Sequence, residues 1–260
     1  MLGNAKHRLP ALVAGAALSL AAGPAAAEPT PVTVHVISQS AKFIGSSMGG
    51  AHVTISDVRT GDVLASGVTA GSTGNTKHIM QTDHPRGTAL SKGSAAKFEA
   101  TLDIDRPQKI KVTAHGPMAQ AQAANTVSAT QWILPGKGVT AGDGIRLTMP
   151  GFVVDVLSPP AHLKLSGTPQ TVALEANVTM MCGCPIVPGG LWDADAYDVT
   201  AMIYRNGEKM REASLAYAGS TSQFATELTI EQPGSYEAII TAYDPETGNT
   251  GLDKVTFGVD

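Results

Sequence analysis

From Val32 onward the chain alternates. Val32, Val34 and Val36 are apolar with Thr33 and His35 between them, and the same two-residue period returns in Val53-Thr54-Ile55 and in Ile110-Lys111-Val112-Thr113. Such a period turns one face of an extended strand to a core and the other to water, whereas a helix needs apolar residues about 3.6 positions apart. Helical patterning is nearly absent beyond the first residues, and clusters of Gly, Pro, Asn and Asp break the runs. The expectation is an all-β chain. Short strands at close spacing favour β-sandwiches over a parallel sheet.

The first residues read differently. Lys6, His7 and Arg8 form a positive cluster, Leu12 to Leu20 is an apolar run, and Ala25-Ala26-Ala27 supplies small residues for cleavage. Residues 1–27 are therefore expected to be a signal peptide. It carries no Arg-Arg pair and no Cys after the apolar run, so general secretion without a lipid anchor follows. The protein is placed in the periplasm, secreted and soluble, since no later segment approaches the roughly 18 apolar residues of a membrane helix. There are 18 Lys and Arg against 22 Asp and Glu. That balance provides no basic footprint for nucleic acid and no cationic face for membrane insertion. A protein partner is the expected contact.

Strands are expected at Pro31–Ile37, Ala51–Val58, Val63–Val68, Ala96–Ile104 and Gln108–His115. The turn between the second and third is Arg59-Thr60-Gly61-Asp62, with Gly61 for a left-handed position. The run Gly50-Ala51-His52-Val53-Thr54-Ile55-Ser56-Asp57-Val58-Arg59-Thr60-Gly61-Asp62 resembles the opening hairpin of transthyretin-like, carboxypeptidase-regulatory-type β-sandwiches. The resemblance implies a fold and no activity. Residues 71–94, rich in Gly, Ser, Thr and Lys, are expected to form a long exposed loop. Met118 to Ala129, rich in Ala and Gln, is expected to hold a short helix, followed by a Gly-rich loop from Gly136 to Gly144. Pro150-Gly151 is taken as the junction, giving domains 28–149 and 150–260.

The second domain is expected to hold strands at Phe152–Leu157, Thr171–Met181, Asp198–Arg205, Glu208–Tyr217, Gln223–Ile230, Ser235–Tyr243 and Thr250–Val259. Asn206-Gly207 is the strongest hairpin signal in the chain. Seven short strands fit an immunoglobulin-like (Ig-like) sandwich. The run Pro233-Gly234-Ser235-Tyr236-Glu237-Ala238-Ile239-Ile240-Thr241-Ala242-Tyr243-Asp244 resembles bacterial Ig-like domains, and Tyr236 falls where they place a tyrosine corner. The fold class is thus two consecutive β-sandwich domains, transthyretin-like then Ig-like, after a signal peptide.

One stretch stands apart. Met180-Met181-Cys182-Gly183-Cys184-Pro185 holds both cysteines and two adjacent thioethers, with Trp192, Asp193 and Asp195 close behind. On the strand list, Cys182 to Tyr197 joins the second and third strands of the Ig-like domain. It is longer than a usual connection of about 2–6 residues, and long loops on rigid scaffolds tend to carry function. Strand topology brings this loop to the end where the linker from the first domain arrives. The last interstrand loop, with Asp244, Glu246 and Asn249, comes to the same end. The loop is expected at the domain interface.

Three readings of the loop follow. Thiolates and thioethers select soft ions, so Cys182 and Cys184 with Met180 or Met181 suit copper. Alternation sends the two methionines to opposite faces, so only one joins the thiolates. A second reading is a strained Cys-x-Cys disulfide that exchanges with client thiols. A third is a structural disulfide that stiffens the loop of an interaction or assembly module. His78 and His84, near Met80, have metal-like spacing, as does His115 with Met118, and a histidine of the first domain could complete the site. His35 and His52 lie in alternating strands and read as structural. Met202 and Met210 read as core fillers. No nucleophile elbow, phosphate loop or zinc helix is present, so no enzyme is expected. The leading expectation is a periplasmic copper-binding or copper-delivery protein using Cys182, Cys184, Met181, Met180, His78 and His84.

Overall fold

A computed structural model describes Met1 and residues 26–260. The expected leader lies almost wholly outside the described residues. No helix among them is long and apolar enough to cross a membrane. The fold is all-β, and its sheets form two consecutive sandwiches.

The first sandwich uses β1 (Glu28–Ser38), β2 (His52–Asp57), β3 (Val63–Val68), β4 (Phe98–Ile104), β5 (Gln108–Gly116), β6 (Asn125–Ile133) and β7 (Ile145–Met149). One sheet runs β4-β1-β7, with β7 parallel to β1, and the other runs β3-β2-β5-β6. Val34, Val36, Val53, Ile55, Ile110 and Val112 fill the space between them, as the alternation requires. β1 departs from simple alternation, because Thr33, His35 and Ile37 on its other face are also buried. Two segments cause this. Val139 and Asp143 bond to Thr33 and His35, and residues 71–94, though mostly exposed, are no free loop: they fold back over β1, carrying helix α1 (Thr76–Gln81), and Ile79 packs with Ile37, Phe43 and Ala95 in a satellite cluster. These apolar residues are too scattered in sequence to display a period.

The helix expected within residues 118–129 is also absent. A single 3-10 turn, Ala121–Ala123, precedes β6. From Thr126 the segment is Thr-Val-Ser-Ala-Thr, and the free edge of β5 supplies nine consecutive pairings, Gly116↔Asn125 to Gln108↔Ile133. Edge pairing outweighs the local helical preference of the alanines.

The second sandwich uses β8 (Phe152–Ser158), β9 (Lys164–Leu165), β10 (Gln170–Met180), β11 (Asp198–Arg205), β12 (Glu208–Ser214), β13 (Ala216–Tyr217), β14 (Gln223–Ile230), β15 (Gly234–Tyr243) and β16 (Thr250–Val259). The sheets run β13-β14-β10-β8 and β12-β11-β15-β16-β9. The Asn206-Gly207 turn has both residues left-handed, φ 51° and 86°, and holds β12 against β11. Met210 on β12 is exposed and Met202 on β11 only half-buried, so neither fills the core. Met202 alternates with the buried Ala201 and Ile203 and so takes the outer face of its sheet, while Met210, on the edge strand, lines an open groove with Ile203, Leu228 and Ile230.

Tyr236 is buried, stacks on Phe257 and donates its hydroxyl to the Gln232 carbonyl at 2.6 Å. This is the tyrosine corner that the sequence pattern implied. Tyr236→Phe is expected to lower unfolding free energy by about 1 kcal/mol, the worth of one hydrogen bond, in a urea titration. An unchanged midpoint would remove the corner from the forces that hold the fold.

Candidate functional site

β10 delivers the cysteine loop. At its end alternation parts the two methionines, both fully buried. Met180 enters the core of the second sandwich, and Met181 crosses into the core of the first. The backbone then closes a tight turn, with Gly183 N–H donating to Met180 O at 2.7 Å and Met180 N–H to Cys184 O at 3.2 Å. Gly183 is left-handed at φ 72°, and a Cβ there would lie 2.6 Å from Met48 Sδ. Gly183 thus serves both the turn and the close approach of Met48 from the first sandwich.

Cys182 and Cys184 form a disulfide, and both are buried within the second core, 2% and 3% exposed. No cysteine is free among the described residues. The chain beyond is pinned by Ser222. Its hydroxyl accepts Ile186 N–H at 3.0 Å, and its own N–H donates to Ile186 O at 2.9 Å. Asp193 then caps a 3-10 turn, Ala194–Ala196, its Oδ1 accepting from Gly189 N–H at 2.9 Å and Asp195 N–H at 3.1 Å.

The loop is a joint between the sandwiches, as strand topology led one to expect. Trp192 is 7% exposed, and its indole N–H donates to Ser40 O of the first sandwich at 3.0 Å. Asn249, fully buried, accepts Gly151 N–H on Oδ1 at 2.9 Å and donates from Nδ2 to Gln39 O at 3.4 Å. Gln39 returns a bond from Nε2 to Thr247 O at 3.0 Å. Asp244 spends its carboxylate on Glu246 N–H, Thr247 N–H and the Thr247 hydroxyl of its own turn. The Tyr197 hydroxyl is pushed up to about 12 by burial first, then by Asp244, Asp193 and Glu246. It stays protonated at any physiological pH.

The histidines make a separate group. His78 and His84 meet edge to face at 4.7 Å, on and just beyond α1. His78 Nε2–H donates to Ala89 O at 3.0 Å, and His84 Nε2–H to His78 O at 2.6 Å. These bonds tie down the 82–89 segment. No hydrogen bond or ring contact joins either histidine to Cys182 or Cys184. His115 bonds Thr126 Oγ1 at 3.0 Å on the outer surface. His35 is buried, with Nδ1–H on Asp143 O, and burial lowers its pKa. No cluster of three or more His, Cys, Asp or Glu side chains suited to a metal ion occurs among the described residues.

Met48, Ser40, Gln39 and Ser222 belong to the joint but carried little sequence signal. Met48 alone was recognisable, as a thioether beside Gly49-Gly50.

Fold and joint together define an all-β protein of two consecutive β-sandwiches joined at a disulfide-bonded loop. No protein-family model matches the chain, and no curated protein matches it. Among solved structures it is similar to an engineered protein, with 16% identity over 49% of this chain and a TM-score of 0.32. The chain spans only 24% of that protein's length. It is also similar to the Dpr2 Ig1-Ig2 chain set in complex with DIP-Theta, with 12% identity over 89% of this chain and 99% of that one, TM-score 0.30. The fibronectin(III)-like modules of Clostridium thermocellum CbhA are similar over 92% of each chain, with 11% identity and a TM-score of 0.30.

Proposed function

We propose that the chain is a non-catalytic module that acts by contact with a protein partner, with the Cys182–Cys184 loop as its structural joint. One observation carries this reading. The loop's capable groups are already engaged: the sulfurs with each other, Met180 and Met181 in two different cores, the Trp192 N–H on Ser40, and the Asp193 carboxylate on its own turn. What is left to act is the outer surface. A disulfide also suits the exported, oxidising compartment expected from the leader. Burial of both sulfurs weighs against exchange with client thiols, which need access.

Copper is the second reading, and Met48 favours it. An external dithiol, itself oxidised to a disulfide, would supply the two electrons and two protons that convert the pair to two thiols. Cu(I) could then displace their protons, with Met48 or Met180 as the third soft donor. Nothing brings His78 or His84 into that donor set.

A Cu(I) competition titration separates the two. The contact reading expects the untreated protein and a Cys182→Ser/Cys184→Ser variant to be equally silent, and the reduced protein to bind no more than the variant. Stoichiometric Cu(I) uptake by the reduced protein, lost in the double variant and weakened by Met48→Leu, would overturn it in favour of copper. The same double variant is expected to lose only about 1.5 kcal/mol of stability, because the ring it opens is very small.

A further inference from the structure

We propose that β6 is the protein's contact edge and that its occupant is a second copy of this chain, paired antiparallel across a two-fold axis at Ala129. The proposal deepens the contact reading above and rests on it.

Every sheet has two edges, and an exposed edge is a template for another strand unless something blocks it. The other edges are blocked. β12 carries Glu208, Lys209, Arg211 and Glu212. β4 carries Glu99 and Asp103, and β7 is short and carries Arg146. β3 is bulged against β2 at Ile55/Ser56. β8 carries Asp155, and Asp253 caps its Val156 N–H at 2.9 Å. β9 and β13 have two residues each.

β6 has none of these devices. It is nine residues long, Asn-Thr-Val-Ser-Ala-Thr-Gln-Trp-Ile, without a charge or a proline. Its register with β5 is unbroken, so it is straight enough to template a partner. Its ends are anchored, Val127 half-buried and Ile133 buried against the first core, and the strand lies next to β7 of the facing sheet. Between them Ser128, Ala129, Thr130, Gln131 and Trp132 are exposed in succession, so the middle of the strand is bare on both faces. Trp132 is 61% exposed and the following Leu134 49%. Alternate residues of β6 turn their N–H and C=O groups away from β5, and no other strand among the described residues bonds to them.

The missing charge selects the occupant. A charged peptide finds no complement on this strand, whereas a second copy brings no like charge against it. About an axis at Ala129, Ser128 faces Thr130 and Thr126 faces Trp132 of the other copy. The first is a Ser–Thr hydroxyl pair and the second a β-branched–aromatic pair, and both kinds favour strand association. Two four-stranded sheets would become one of eight, in a closed isologous dimer. An edge contact of this length is small, so a weak, concentration-dependent dimer is expected.

Sedimentation velocity of the purified protein over a wide concentration range tests this. The wild type is expected to shift from monomer to dimer. Ala129→Lys, at an exposed site, sets two ammonium groups directly opposite each other and should weaken the dimer about tenfold or more while the melting curve holds. Ser128→Lys/Thr130→Glu sets opposite charges face to face twice across the axis and should keep the dimer. A wild type that stays monomeric throughout, or a dimer that ignores Ala129→Lys, overturns the proposal, as does binding of an unrelated protein at β6 in place of a second copy. Failure here leaves the Cu(I) titration unchanged, so the two readings fall separately.

Discussion

Trp192→Ala is expected to cost about 3–5 kcal/mol, which is the range for truncating a buried aromatic side chain. The indole is 7% exposed and belongs to the core of the second sandwich, while its N–H ends on Ser40 O of the first. Truncation removes packing in one sandwich and leaves the partner carbonyl of the other without its donor. Each kcal/mol moves the midpoint of a chain this size by about 2–4 °C, so a drop of about 10 °C is expected in calorimetry. Trp192→Phe separates the two contributions. It keeps most of the packing and loses the hydrogen bond, so about 1–2 kcal/mol should go. If the alanine variant melts within a degree or two of wild type, Trp192 does not join the sandwiches. A single sharp transition for the wild type that splits in two for Trp192→Ala would show that the joint couples them.

Several parts of this joint were legible in the sequence, each for a physical reason. The loop is long, and strand topology fixes which end of the sandwich it occupies, so its place beside the first sandwich followed from the strand list. The parting of Met180 and Met181 followed from the two-residue period alone. Asn206-Gly207 fixed the β11–β12 hairpin through its left-handed backbone. The misses share a different cause. Ser40 enters the joint through its carbonyl, Gln39 through its carbonyl and side-chain amide, and Ser222 through its backbone and hydroxyl, and such single contacts leave no pattern in sequence. Residues 71–94 are covered in polar letters, and the few apolar residues that dock them to β1 have no period. β6 was misread because the alanines and glutamines of residues 118–129 mark a helix locally, while the free edge of β5, which decides the matter, is invisible from the segment itself. Met210 was misplaced because its strand lies at the edge of the sheet, where the groove it lines is open. The oxidation state of the cysteines is likewise not a property of spacing: the close turn about Gly183 brings the sulfurs together.

Met181→Ala is the sharpest test of whether the two sandwiches are one cooperative body. Met181 leaves the end of β10, a strand of the second sandwich, yet its side chain is fully buried in the core of the first. Val153 on β8 makes the same crossing, while its neighbours Phe152 and Val154 stay in the second core. Truncating Met181 leaves a cavity at this seam. Its expected cost is about 2–5 kcal/mol, the range for a buried Met cut to Ala. Met180→Ala should cost a similar amount but loosen only the second core. Hydrogen exchange distinguishes them. Amides of β7 and β8, on either side of the seam, should lose protection in Met181→Ala, whereas Met180→Ala should leave β7 protected. Met181→Leu keeps volume and apolarity and should stay within about 1.5 kcal/mol of wild type. That variant also bears on the chemistry. A side chain that only packs is replaceable by leucine without other consequence, whereas a thioether that holds Cu(I) is not. A Met181→Leu protein with wild-type stability but reduced Cu(I) uptake after reduction would turn the seam from a joint into a metal site. Equal behaviour in both measurements assigns Met181 to packing alone.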